Sequence, residues 1–119
     1  MLFRSLLSGW GCEVATAANE EEALQSVTRA GRLPDLLLAD LHLDDERDGV
    51  NVIQSLRRAW DRAVPAAIVT ADRDPTLRLR TRALQIELLH KPVKPASLRA
   101  LLRLSERATP SARSARALQ

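Results

Sequence analysis

The sequence is poor in residues that build disulfide bonds, zinc clusters and membrane segments. Cys12 is the only cysteine among 119 residues, which excludes an intramolecular disulfide and a cysteine-based zinc cluster. A buried, inert thiol is the expectation for it. No apolar run approaches the roughly 20 residues needed to cross a bilayer. The first residues lack the length and the cleavage site of a signal peptide. We therefore expect a cytoplasmic protein with no membrane partner.

The net charge outside the C-terminal residues is small. The formal net charge is +3, and residues 105–119 hold three arginines against one glutamate, so most of the excess lies there. Arg78 and Arg82 can share a helix face, but Arg80 points elsewhere, and no aromatic residues interleave with them. This pattern favours a solvated helix face, or a surface for a protein partner, over nucleic-acid binding.

The remaining chain alternates strand and helix patterns, at a length that suits one domain. Apolar periodicity and capping residues predict helices over 2–7, 20–29, 50–60, from 75 onward and over 95–104. Strand patterns cover 13–17, 35–40, 66–70 and 86–90. Such alternation predicts an α/β fold with a doubly wound parallel sheet over residues 1–105. Residues 106–119 lack periodicity and predict a disordered basic tail.

Three of the predicted strands end in, or are directly followed by, a residue suited to handling a phosphoryl group. These residues are Asp40, Thr70 and Lys91. Each alone has an ordinary explanation, as a turn cap, a strand residue or a strand terminus. Parallel strands bring their carboxyl ends to one edge of a sheet, where open α/β folds place their sites. A carboxylate nucleophile, a hydroxyl donor and a lysine together favour phosphoryl transfer.

At these motifs the sequence resembles the receiver (response-regulator, chemotaxis-Y-like) family over residues 2–104. The resemblance is carried by Pro-Asp-Leu-Leu-Leu-Ala-Asp at 34–40, Asp-Gly at 48–49, Ile-Val-Thr-Ala at 68–71 and His-Lys-Pro-Val-Lys-Pro at 90–95. The residue pattern, especially around 89–98, resembles that of receivers at the C-terminus of hybrid histidine kinases. The resemblance implies a flavodoxin-like fold.

It also implies roles for the matched residues. Asp40 would accept a phosphoryl group, Lys91 would pair with a phosphate oxygen, and Thr70 would hydrogen-bond another. Asp40 and the backbone carbonyl of His42 would be magnesium ligands. Pro92 would follow a cis peptide bond.

The function implied is that of a phosphoprotein in a two-component or phosphorelay system, and not that of an enzyme. The donor would be a phosphohistidine on a histidine kinase or phosphotransfer protein. With no output domain in the sequence, the signal would pass through protein contacts, a homodimer among them.

The sequence departs from the family pattern at its start. Family members begin with an apolar strand ending in an acidic pair that helps to hold the metal, and this chain has neither. The missing strand would lie between 13–17 and 35–40, so a gap in the sheet and weakened magnesium binding are expected. A misassigned start, a fragment of a hybrid kinase gene, or a chain that closes the gap or borrows a strand would each explain the departure.

Two further points bear on function. Leu88 stands where many family members have an aromatic residue, which argues against an aromatic switch. A phosphorylation-independent interaction module of the same fold is the main alternative. A phosphatase of the haloacid-dehalogenase type is disfavoured, because His42 stands where its general acid would be.

Overall fold

The computed structural model describes the backbone of residues 13–17, 19–42, 48–108 and 114–118, and the side chains of 19–42 and 48–103. The predicted helix at 2–7, Cys12 and most of the acidic loop, residues 43–47, lie outside the described residues. Within the described part, no helix is long and apolar enough to span a membrane.

One parallel sheet organises the described chain. Its strands are β1 (Glu13–Ala17), β2 (Leu36–Asp40), β3 (Ala66–Thr70), β4 (Glu87–His90) and β5 (Ser114–Leu118), in the spatial order β1-β5-β2-β3-β4. The described helices are α1 (Glu20–Ala30), α2 (Gly49–Trp60), α3 (Pro75–Ala83) and α4 (Pro95–Ala108). The predicted α/β fold with a doubly wound parallel sheet is confirmed.

The helices begin where the sequence places capping residues. The Asn19 side chain accepts a hydrogen bond from the Glu22 N–H at 2.9 Å. The Asp74 side chain accepts one from the Thr76 N–H at 2.9 Å, and Pro75 occupies the first helical turn. Both side chains satisfy backbone donors that a helix start leaves without an intrahelical acceptor.

The core consists of two apolar clusters, one on each face of the sheet. Leu37, Ala39 and Ile68 pack with residues of α1, α2 and α3. Leu36, Leu38, Ala67 and Val69 pack with Leu98, Leu101 and Leu102 of α4. Burial on both faces explains why β2 and β3 read as continuous apolar runs rather than alternating ones.

The prediction of a disordered tail over residues 106–119 is wrong for two segments, 106–108 and 114–118. Helix α4 continues to Ala108, and Ser114–Leu118 forms β5. Strand β5 lies between β1 and β2 and is parallel to both, with Ala15 and Leu37 as the two register partners of Arg116. The predicted gap in the sheet is therefore filled by the C-terminal residues. Hydrogen bonds to the backbone groups of the flanking strands stabilise β5, and the local sequence does not reveal this contribution.

Arg57 fastens the end of α2 to the loops beside it. Its guanidinium donates hydrogen bonds to the carbonyls of Val64 at 3.0 Å, Leu84 at 2.8 Å and Gln85 at 3.2 Å. Burial lowers the pKa of Arg57, because desolvation disfavours the charged form. Three carbonyl acceptors offset that penalty and fix the connection between α3 and β4.

Candidate functional site

The parallel sheet brings the three predicted site residues to one edge. Asp40 is the register partner of Val69, and Thr70 is the partner of His90, so the ends of β2, β3 and β4 are adjacent. The Lys91 N–H donates a hydrogen bond to the Thr70 carbonyl at 2.9 Å, which extends the pairing one residue beyond β4. Asp40, Thr70 and Lys91 thus follow one another across the sheet.

Asp40 and Lys91 are in direct contact. The Lys91 ammonium lies 3.4 Å from Oδ1 of Asp40. The two side chains keep 34% and 50% of their surface exposed, respectively, so the carboxylate is neutralised and still reachable from solvent. An exposed carboxylate beside a cation is an arrangement that suits a nucleophile.

Thr70 is held by the loop that follows β3. Its residue is 5% exposed, and its hydroxyl oxygen accepts a hydrogen bond from the Asp72 N–H at 3.0 Å. The hydroxyl still has its own hydrogen to donate. Among the described residues, no hydrogen bond joins this hydroxyl to Asp40 or Lys91, so Thr70 is near the pair without being part of it.

The start of α2 passes very close to Asp40. A Cβ added at Gly49 would overlap the Asp40 carbonyl oxygen and come within 3.1 Å of the Ile68 side chain. The Gly49 N–H donates to the Leu41 carbonyl at 2.7 Å, next to the backbone bridge between His42 and Asp48. Glycine is required here because of this close approach, which explains the Asp-Gly pair at 48–49.

Asp48 has a structural role that the sequence did not reveal. Its Oδ1 caps α2 by accepting from the Val50 N–H at 2.7 Å, and its Oδ2 accepts from Arg80 at 2.7 Å. Arg80 also donates to Asn51 at 2.9 Å. The arginine lies 32 residues away in the sequence, so only the Asp-Gly motif could have pointed to this position. Arg80 thus ties α3 to the start of α2.

Arg78 and Arg82 lie on a different face of α3 from Arg80, as their spacing predicted. Both line an open cavity of about 530 Å³ beside the edge strand β4, together with Glu87, Leu88 and His90.

Leu88 is half-buried and packs against the core cluster that contains Ile68. The Lys91–Pro92 peptide bond that follows is cis, as the resemblance implied.

The described residues are a poor fit for a magnesium site. Within them, no three His, Cys, Asp or Glu side chains are grouped closely enough to hold a metal ion. Asp48, the next described carboxylate after Asp40, accepts hydrogen bonds from the start of α2 and from Arg80. The carboxyl end of β5 pairs Leu118 with Ala39 and so brings no acidic residue beside Asp40. Magnesium is usually held through one or two carboxylates, and the part of the chain that the structure describes offers only Asp40 at this edge.

Comparison with known proteins places this arrangement in a family. A family model described as the response regulator receiver domain matches residues 1–103. The chain belongs to this family. Receiver domains are in general signalling modules rather than enzymes, and they interact with histidine kinases or phosphotransfer proteins. No curated protein sequence matches the chain.

Solved structures agree with the family assignment. A protein from Chloroflexus aurantiacus described as a response regulator is 28% identical, with a TM-score of 0.73, covering 87% of this chain and 84% of that one. Chemotaxis protein CheY4 from Vibrio cholerae is 24% identical, with a TM-score of 0.72 and coverage of 87% and 86%. The receiver domain of a histidine kinase from Syntrophus aciditrophicus is 22% identical, with a TM-score of 0.73 and coverage of 92% and 82%. The flavodoxin-like receiver fold is thereby confirmed.

The family match ends before the unusual strand. It stops at residue 103, whereas β5 comprises Ser114–Leu118. The receiver domain accounts for β2, β3, β4 and the site at their ends. The strand between β1 and β2 is a feature of this chain beyond the matched region.

Proposed function

We propose that this receiver domain is a phosphoacceptor in a two-component or phosphorelay system. Asp40 takes a phosphoryl group from a phosphohistidine on a histidine kinase or phosphotransfer protein. The contact between Asp40 and Lys91 at an exposed sheet edge carries the proposal. It pairs a nucleophile with the positive charge that the transferred group needs.

In the transfer, a carboxylate oxygen of Asp40 forms a bond to phosphorus. The bond from phosphorus to the imidazole nitrogen breaks, and its electron pair leaves with the imidazole. Two anions must approach each other, so a cation next to the carboxylate lowers the barrier. Lys91 supplies that charge and stays within reach of a phosphate oxygen.

Thr70 acts after the phosphoryl group arrives. Its oxygen accepts from the Asp72 N–H, which leaves the hydroxyl hydrogen to donate to a phosphate oxygen. This donation draws the loop after β3 toward the phosphorylated edge. It is therefore the first place at which transfer can change the surface.

Magnesium would neutralise phosphate charge in such a site, through Asp40 and the His42 carbonyl. Since the described residues offer one carboxylate, we expect weak magnesium binding, and no step of the transfer depends on it.

We expect the protein to work in the cytoplasm. Its signal passes through protein contacts, with a homodimer among them, rather than through nucleic acid or a membrane.

A second candidate function is supported by the observation that the described residues offer one carboxylate, Asp40, at this edge. A receiver fold that offers little to a metal can serve as an interaction module without phosphorylation. The two functions differ in one respect. Partner binding by such a module survives Asp40→Asn, whereas a phosphorylation-dependent contact is lost.

The proposal is tested by intact-mass measurement after incubation with a small phosphodonor, with and without magnesium. The wild-type chain is expected to gain one phosphoryl group, and Asp40→Asn is expected to gain none. Asp61→Asn is the matched control, because Asp61 is exposed and asparagine tolerates its left-handed backbone at φ 49°. Labelling of Asp40→Asn at the wild-type level would rule out the assigned nucleophile.

A further inference from the structure

Strand β5 is the sole sheet connection between β1 and the other described strands. β1 pairs with β5, and β5 pairs with β2, in the order β1-β5-β2-β3-β4. If β5 withdraws, β1 and β2 each present a row of unpaired backbone groups. Such open edges bind another strand readily.

The residues of β5 are poorly suited to this interior position. The strand reads Ser-Ala-Arg-Ala-Leu, without a β-branched or aromatic residue, whereas β3 reads Ala-Ala-Ile-Val-Thr. Its Arg116 has Leu37 as a register partner, and Leu37 is fully buried. Interior strands of such sheets are usually apolar throughout. β5 therefore depends mainly on backbone pairing, which any strand of the same register can provide.

The chain that leads into β5 is short. Helix α4 ends at Ala108 and β5 begins at Ser114, so residues 109–113 form the connection. At full extension these residues span about 20 Å. α4 is itself fixed on β2 and β3 by Leu98, Leu101 and Leu102, so it cannot move to give the connection slack. Short hinges before a detachable element favour its exchange between copies.

We propose that β5 is an exchangeable strand, and that the slot between β1 and β2 accepts the β5 strand of a second copy of this chain. The result is a two-fold dimer in which each copy completes the sheet of the other. The pairing in this dimer is that of the monomer, since the same residues meet in the same register. The two states therefore share these strand contacts, so little free energy opposes the exchange.

A second copy fits the slot better than an unrelated peptide. The register of five residues against β1 and four against β2 is satisfied by any copy of Ser114–Leu118 without change. Dimerisation through the cavity beside β4 is a different arrangement, because it leaves β5 within its own chain. The length of the connection distinguishes these cases.

The test is the oligomeric state of full-chain variants, measured by size-exclusion chromatography with light scattering over a range of concentrations. One variant lacks residues 111–113, which leaves two residues between α4 and β5 and disfavours the return of β5 to its own slot. Another carries added Gly-Ser residues after Ala112, which give the connection slack. We expect the dimer fraction to be highest in the shortened variant, intermediate in the native chain and lowest in the lengthened variant.

Hinge variants leave every described core side chain unchanged, so folding is preserved and can be checked by circular dichroism. A dimer fraction that does not depend on hinge length would overturn the proposal, as would a folded, monomeric shortened variant. Two substitutions at one position add a second criterion. Ala117→Pro removes a strand N–H and should abolish the dimer, while Ala117→Val should retain it.

Discussion

At the scale of single residues, we propose that Asp40 and Lys91 contribute to phosphoryl transfer rather than to folding stability. Their charged atoms are 3.4 Å apart, but half of the Lys91 side chain is exposed. An exposed pair of this kind contributes about 0–1 kcal/mol to folding. The same pair can lower the barrier for phosphoryl transfer much more, because the charge is needed only when the second anion arrives.

Replacement of Lys91 separates these two effects. For Lys91→Met we expect labelling by a phosphodonor, or the conformational change that follows it, to be strongly impaired. The free energy of unfolding should change by less than about 1 kcal/mol. Labelling rates and urea unfolding check the two parts. Lys94→Met, in the same loop and also exposed, is the control and should leave both quantities unchanged. Equal effects of the two substitutions would argue against a specific role for Lys91.

Gly49 provides a second test, this time of local geometry. The Cβ of Gly49→Ala would overlap the Asp40 carbonyl, so the backbone that presents the nucleophile must shift. We expect a loss of about 1–3 kcal/mol in unfolding free energy, as for other overpacked sites, together with slower labelling. Gly31→Ala is the control: it has open space but a φ of 74°, so it should cost about 1 kcal/mol and leave labelling intact. Normal labelling of Gly49→Ala would contradict the close approach.

At the scale of elements, α2 is anchored at both ends. Asp48 and Arg80 hold its start against α3, and Arg57 holds its end against the loops that precede β3 and β4. The helix is therefore held in place both near Asp40 and at the opposite edge of the sheet, where β3 and β4 begin.

Of these contacts, the loss of Arg57 should reduce the free energy of unfolding most. Arg57→Met keeps much of the side-chain volume but leaves three carbonyls without a charged donor. We expect a decrease of about 1–3 kcal/mol in unfolding free energy, measured by urea titration. Arg58→Met, one residue along and exposed, is the control and should stay within about 0.5 kcal/mol of the wild type. An equally small change in Arg57→Met would show that these hydrogen bonds contribute little.

The elements also show where sequence reasoning succeeds. β2 and β3 were predicted correctly because burial on both faces makes them apolar runs, and their ends located Asp40 and Thr70. β5 was missed because Ser-Ala-Arg-Ala-Leu has no strand signal of its own and depends on pairing with β1 and β2. Asp48 and Arg80 were missed as partners because their contact joins distant positions. Local patterns record burial, whereas these features depend on tertiary pairing.

At the scale of the whole molecule, β5 determines whether the sheet is one unit. Among the described strands, β1 is connected to β2 only through β5. The backbone amides of β1 and β5 should therefore lose their protection from hydrogen exchange together. We expect the amides of β1 and β5 to exchange with deuterium at similar rates, and faster than those of β2 and β3. Hydrogen exchange followed by mass spectrometry checks this. Protection of β5 equal to that of β3 would contradict a weakly held strand.

The most direct test of the central claim is to map the residue that carries the phosphoryl group after transfer from a phosphohistidine donor. Peptide mass mapping of the full chain, with Asp40→Asn and Asp61→Asn alongside, gives the answer. We predict that the group is found on Asp40, is absent from Asp40→Asn and is retained in Asp61→Asn. A folded wild-type chain that gains no phosphoryl group, or carries it on another residue, would contradict the proposed role of Asp40.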